Sequence, residues 1–200
     1  TGKKIEYINS LLKVGFDTID FGSFVSAKAI PQMADTREVV RSLESGVGGT
    51  KLLAIVANLR GAEEASVFDE ITYLGFPFSI SETFQLRNTN SSIQESLGRV
   101  EEIQNICVKT GRKLVIYISM GFGNPYGDAY SEEIVFNWVK KMIEMDIEII
   151  SLADTVGVAD AIQVYDMTSY LTESFPGTEI GVHLHSTPDN RKEKLEAAVK

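Results

Sequence analysis

Apolar positions along the chain switch repeatedly between a helical and a strand period. Residues 3–14 carry Ile5, Ile8, Leu11 and Leu12 at helical spacing, and Gly15 follows as a C-cap. Residues 18–24 then read as a strand, followed by a polar loop through Lys28 and Pro31 and a short helix starting near Thr36. The run Lys51-Leu52-Leu53-Ala54-Ile55-Val56-Ala57-Asn58 is continuously apolar and ends polar, as expected of a strand covered on both faces. A helix over 61–68 and a strand over 71–80 come next, the strand interrupted by Gly75 and Pro77. Ser91, Ser92 and Glu95 open a long amphipathic helix that ends at Gly111. Three further units follow: strand 113–120, a glycine-rich turn over 121–127 and helix 131–145; strand 147–155 and helix 160–174; strand 179–186 and a helix from 191.

Strand–loop–helix units without hairpin signals imply an α/β fold with a parallel sheet, either doubly wound or closed into an eight-stranded barrel. Nothing in the chain reads as a linker, so residues 1–200 are expected to form a single domain. In both architectures functional groups gather at the C-terminal strand ends. Here the apolar bodies finish in Asn58, Ser119, Thr155 and Ser186. The same residue types cap the helix that follows, so each has a structural use beside any chemical one.

The last strand holds both histidines of the protein, in Gly181-Val182-His183-Leu184-His185-Ser186. Alternation along a strand puts His183 and His185 on one face and Val182 and Leu184 on the other. Neutral imidazole is the commonest metal ligand, so the pair is a candidate clamp for a divalent ion, with carboxylates or carbonyls completing the sphere. The same spacing also fits two imidazoles that only hydrogen-bond the backbone. Tyr117 and Ser119 share one strand face, and Ser151, Ala153 and Thr155 share another, which is the parity a common pocket requires.

Composition narrows the partners. At 44% hydrophobic and 24% charged, 200 residues are enough for one globular core. The net charge is −9, from 28 acidic residues against 19 Lys plus Arg, and this field repels nucleic acid and anionic membranes. No apolar run approaches the roughly 20 residues of a membrane span, and Thr1-Gly2-Lys3-Lys4 opens neither a signal nor a transit peptide. The single cysteine, Cys107, excludes an intramolecular disulfide, fits a reducing cytoplasm, and reads as a small buried hydrophobe on a helix. A phosphorylated ligand would need local cations, for which Lys28, Arg60 and Arg87 are the loop candidates.

The stretch Ser23-Phe24-Val25-Ser26-Ala27-Lys28-Ala29-Ile30-Pro31-Gln32-Met33-Ala34-Asp35 closely resembles the segment after the second strand of 3-hydroxy-3-methylglutaryl-CoA lyases. Asn58-Leu59-Arg60-Gly61, Ser81-Glu82-Thr83-Phe84, Asn88-Thr89-Asn90-Ser91-Ser92-Ile93, Tyr117-Ile118-Ser119, Gly123-Asn124-Pro125-Tyr126, Ser151-Leu152-Ala153-Asp154-Thr155-Val156-Gly157 and Val182-His183-Leu184-His185 follow in the order of that family. The resemblance covers essentially the whole chain, and its His-x-His strand is shared with isopropylmalate and homocitrate synthases.

What the resemblance implies is a TIM-barrel lyase that splits 3-hydroxy-3-methylglutaryl-CoA into acetyl-CoA and acetoacetate with Mg²⁺ or Mn²⁺. In that reading His183 and His185 are the metal ligands, His183 and Asp20 form the catalytic set, and Tyr117, Thr155, Ser119 and Asn58 line the substrate. Asp154 holds the strand ends together through hydrogen bonds. The implied partners are a small-molecule acyl-CoA and a second copy of the chain in a homodimer, in the cytoplasm and with a role in leucine catabolism. Two other readings share these residues: an acyl-CoA condensing enzyme or aldolase of the same superfamily, and a homologue that binds metal or CoA without chemistry.

Some positions depart from the family pattern. Asp20 stands where the family usually has Glu, Asn124 where the glycine-rich turn usually has Cys, and Ser186-Thr187-Pro188 follow the histidines where Asp and a small residue are usual. The family's first strand, with its Arg-Asp pair, and its eighth, with an Asn ligand and a Cys loop, have no counterpart here. The expectation is therefore a partial barrel from a protein of about 250 residues or more, with metal affinity and turnover impaired in the 200-residue chain.

Overall fold

A computed structural model describes residues 1–44 and 46–200. Its six strands are β1 (Thr18–Ser23), β2 (Lys51–Ile55), β3 (Ile71–Ser79), β4 (Lys113–Ser119), β5 (Ile149–Asp154) and β6 (Glu179–Leu184), and they neighbour one another in that order. The β1/β2, β2/β3, β4/β5 and β5/β6 pairs are parallel. A doubly wound sheet reverses its strand order at a switch point, whereas a barrel adds each strand beside the last. Of the two architectures compatible with the repeat, the observed order is that of the barrel.

The helices are α1 (Gly2–Leu12), α2 (Thr36–Arg41), α3 (Leu59–Ala65), α4 (Glu82–Thr89), α5 (Ile93–Thr110), α6 (Glu132–Ile143), α7 (Ala161–Ser174) and α8 (Arg191–Ala198). Most lie where the apolar period puts them. The exception is α4, which the period does not reveal: Gln85 is its only buried residue, so there is no apolar stripe to read. What starts it is a cap, because Ser81 Oγ accepts from Phe84 N at 3.2 Å. Strand β2 ends at Ile55, short of the expected Asn58, because Asn58 has become the N-cap of α3.

The chain forms two compact units, Thr1–Phe76 with Glu101–Leu114, and Pro77–Val100 with Val115–Lys200. In the first, Leu12, Val40, Leu52, Ala54, Val56, Leu74 and Ile103 are buried. Phe24 and Phe68 meet with ring centroids 5.6 Å apart, and the Arg41 guanidinium lies 5.3 Å from the Phe68 ring centre. The β1/β2 register slips between Asp20 and Gly22, leaving Phe21 as an extra residue that bends the strand. The start of α3 packs tightly against the loop after β1: a Cβ on Gly61 would lie 2.6 Å from the Phe24 carbonyl oxygen. Gly61→Ala is therefore expected to destabilise the protein by about 1–3 kcal/mol, seen as a lower urea midpoint at unchanged slope.

In the second unit the buried side chains include Phe78, Ile116, Ile118, Ile150, Leu152, Val135, Val139, Met142 and Leu171. Phe78 packs against Trp138 with ring centroids 5.0 Å apart. Helices α6 and α7 open with side-chain caps, Ser131 Oγ accepting from Ile134 N and Asp160 Oδ1 from Gln163 N. Among the described residues no helix is long and apolar enough to cross a membrane.

Candidate active site

The register of the second unit sorts its strand residues by face. Ile116, Ile118, Ile150 and Leu152 form one face and are fully buried, as a helix-covered surface should be. The other face is polar. Tyr117 pairs with Ser151 and Ser151 with Gly181, while one step further along Ala153 pairs with His183. Small residues at 151, 153 and 181 leave room above the sheet for the Tyr117 ring. It meets His183 edge-on, with centroids 5.6 Å apart and planes at 89°. The two imidazoles are neighbours at 5.4 Å between centroids. Partial desolvation, reinforced by neighbouring His185, lowers the pKa of His183 and favours the neutral ring, whose lone pair is free to act as a ligand.

Past the strand ends the backbone is stitched together. Thr155 Oγ1 accepts from Met120 N at 2.8 Å, fixing a buried methionine at φ +61°, and Gly121 N donates to Ala153 O at 3.1 Å. A Cβ at Gly121 would lie 2.8 Å from Ile118 O, so only glycine fits that crossing. The Ser119 carbonyl accepts from Ile80 N at 3.2 Å, which joins the ends of β3 and β4. In the glycine-rich turn, Asn124 Oδ1 accepts from Tyr126 N and Asp128 N, and its Nδ2 donates to Asp128 O. Asn124 thus closes its own loop. Asp128 in turn accepts from Ser81 Oγ, Thr83 N and Thr83 Oγ1, and these bonds hold its carboxyl below the usual range.

Asp154 points to the opposite face from the histidines and is fully buried. Its Oδ1 accepts from Val158 N at 2.8 Å and Ala159 N at 3.3 Å, and its Oδ2 from Lys194 Nζ at 2.8 Å. Lys194 also donates to His185 O at 3.1 Å. Sequence reasoning does not find Lys194, because it lies in the run Arg191-Lys192-Glu193-Lys194, where nothing distinguishes a buried lysine from solvated ones.

The first unit carries Asp20 on β1 and Asn58 just past β2. Asn58 Oδ1 accepts from Gly61 N at 2.9 Å, so the capping use of this residue is the one observed. It lines a cavity of about 360 Å³ together with Ser26, Met33, Arg37, Arg60 and Glu64. Arg60 is committed there to Glu64, at 2.9 Å, which also pairs with Arg37 at 2.5 Å.

Although the Asp20 side chain reaches solvent, desolvation by the surrounding protein pushes its carboxyl from 3.8 up to about 6. The folded state then holds this proton more tightly than the unfolded chain. Asp20 therefore weakens folding as pH rises from the unfolded value through the folded one, and adds nothing below both. Asp20→Asn is expected to leave the urea midpoint unchanged below about pH 4 and to raise it above about pH 6. Equal shifts at both ends of that window would contradict the desolvation of Asp20.

Among the described residues no three His, Cys, Asp or Glu side chains are grouped to hold a metal ion. The two imidazoles lie on the same face, adjacent to each other, with His183 biased to the neutral form.

Comparison with known proteins gives a consistent answer. The HMGL-like family model matches residues 1–189. The cytoplasmic 3-hydroxy-3-methylglutaryl-CoA lyase of Homo sapiens is 34% identical over 193 residues, which is 94% of this chain and 50% of that protein. The crystal structure of the Bacillus subtilis HMG-CoA lyase superposes with a TM-score of 0.91 at 31% identity, covering 99% of this chain and 66% of the other. An HMG-CoA lyase from Acinetobacter baumannii, solved in complex with coenzyme A and 3-methylmalate, gives 0.88 at 29% identity and covers 98% and 65%. The chain thus spans about half the length of the human relative and about two thirds of these structures. Its strand order and these superpositions establish the TIM-barrel lyase fold, and the chain belongs to the HMGL-like family.

Proposed function

We propose that this protein is a divalent-metal-dependent carbon–carbon lyase that cleaves 3-hydroxy-3-methylglutaryl-CoA to acetyl-CoA and acetoacetate, a reaction of leucine breakdown and ketone-body formation. The observation that carries the reading is the pair of adjacent imidazoles beneath an edge-on tyrosine, on a chain 34% identical to a curated lyase of that name. His183 and His185 would hold Mg²⁺ or Mn²⁺. A cation held there would supply Lewis-acid polarisation of the substrate's tertiary hydroxyl and would offset negative charge as the carbon–carbon bond breaks.

The other roles fall to the chain's own groups. Cleavage takes the proton from the hydroxyl, turns that carbon–oxygen bond into a ketone, and leaves the thioester fragment as an enolate that must regain a proton. Asp20, with a pKa of about 6, is poised to exchange a proton near neutral pH. The Tyr117 ring limits rotation of His183 and covers the substrate position. Asn58 has its acceptor engaged in the cap, so its amide nitrogen is the group left to face substrate. Ser119, on the same face of β4 as Tyr117, is a further group assigned to the substrate, and Thr155, with its hydroxyl engaged by Met120, contributes shape. The reading extends to a cytoplasmic homodimer, the location being supported by the name of the human relative.

The test is acetoacetate release from 3-hydroxy-3-methylglutaryl-CoA, with excess Mg²⁺ or Mn²⁺ and with a chelator. Metal-dependent acetoacetate is expected. Consumption of acetyl-CoA and a keto acid in place of cleavage would move the protein to the condensing branch of the superfamily.

A further inference from the structure

Lys194 is 1% exposed on a helix whose other basic residues are solvated, and it contacts Asp154, itself 0% exposed. An ion pair taken this far out of water persists only when its remaining hydrogen-bonding capacity is met. Here it is met in an informative way. Asp154 is shared among Lys194 and the amides of Val158 and Ala159, and the lysine directs a second hydrogen to the His185 carbonyl.

Helix α8 does not need this lysine, since an aliphatic side chain of similar volume would be buried there at equal or lower cost. Strand pairing does not need it either: the β5/β6 ladder closes with Asp154 opposite Leu184. His185 is the first residue beyond that ladder, so its backbone is where the strand stops being fixed by its neighbour. One contact takes over: Lys194 Nζ donates to the His185 carbonyl at 3.1 Å, beside the turn after β5, where a Cβ added to Gly157 would lie 3.5 Å from the same oxygen.

We propose that Lys194 is a positioning residue for the histidine clamp. Anchored on Asp154, it pins the His185 carbonyl, and through the backbone sets the direction of the His185 ring beside His183. The inference rests on the reading of His183 and His185 as metal ligands. It adds a residue on helix α8 that acts through the main chain of the histidine strand rather than through the imidazoles themselves. Outer contacts of this kind change metal affinity by about 10–100-fold when removed.

The test uses a folded pair of variants. Asp154→Asn with Lys194→Met removes both charges together and keeps an acceptor for the Val158 and Ala159 amides, while the His185 carbonyl loses its donor. Asp154→Asn alone keeps that donor, because Lys194 Nζ and its hydrogen bond to the His185 carbonyl are untouched. Co²⁺ alone is titrated into each protein and followed by visible absorption. The imidazole and amide resonances of His183 and His185 are recorded by NMR without metal. The double variant is expected to bind Co²⁺ about 10–100-fold more weakly than the parent and to show displaced or broadened His185 resonances, with Asp154→Asn close to the parent in both. A folded double variant with parental Co²⁺ affinity and parental His185 resonances overturns the role of Lys194. If the parent takes up no Co²⁺ through His183, the metal reading fails by itself. The metal-free resonances then still decide on Lys194: unchanged His185 signals in the double variant overturn it, and displaced ones uphold it.

Discussion

Lys194→Met by itself is expected to lower the unfolding free energy by about 3–5 kcal/mol, because it leaves a carboxylate buried without its cation. Asp154 is 0% exposed, and two backbone amides on Oδ1 do not neutralise the charge on Oδ2. For a chain of this size the change corresponds to a fall of roughly 10 °C in melting temperature. Trp138, the only tryptophan, packs on Phe78 inside the same unit and reports the transition by fluorescence. Adding Asp154→Asn should recover most of the loss, since a matched neutral pair removes the uncompensated charge. A loss under about 1 kcal/mol for the single variant would show that Asp154 is not sealed from water as the packing requires.

His185→Ala is expected to do the opposite. The side chain is exposed, so stability should stay within about 0.5 kcal/mol of the parent. Divalent metal affinity should fall by more than about 100-fold, beyond what loss of an outer contact produces, and metal-dependent acetoacetate formation should fall with it. The two variants sit at the same strand end, joined by the hydrogen bond from Lys194 Nζ to His185 O. One should damage the fold and the other only the chemistry. Survival of both metal content and activity in His185→Ala would mean that the imidazole pair is not the clamp.

How far these features could be read from the sequence differs from residue to residue. Lys51 to Asn58 announced a strand because an apolar run closed by a polar residue has few other uses. The shared face of His183 and His185, and of Tyr117 and Ser119, followed from alternation alone. The choice between a wound sheet and a barrel did not, because it depends on which strands pair across crossovers of 15 or more residues, and no local pattern encodes that. Helix α4 escaped because it is a polar helix started by a cap and held by Asp128, a residue 47 positions from Ser81. Pro77 looked like a break, yet β3 continues through it, beyond Gly75, the last residue paired with β2. Lys194 and the raised carboxyl of Asp20 were invisible for one reason: burial is a property of the fold, and the letters Lys and Asp carry no trace of it.

The claim at the centre of this reading is that His183 and His185 together hold a divalent cation. It is tested most directly by titrating Mn²⁺ into the metal-free protein and following the imidazole signals by NMR. Both rings are expected to broaden together at substoichiometric Mn²⁺, ahead of the exposed carboxylates, and to recover on chelation. If the rings stay sharp while carboxylates elsewhere broaden first, the histidines are not metal ligands and the proposed lyase chemistry loses its site.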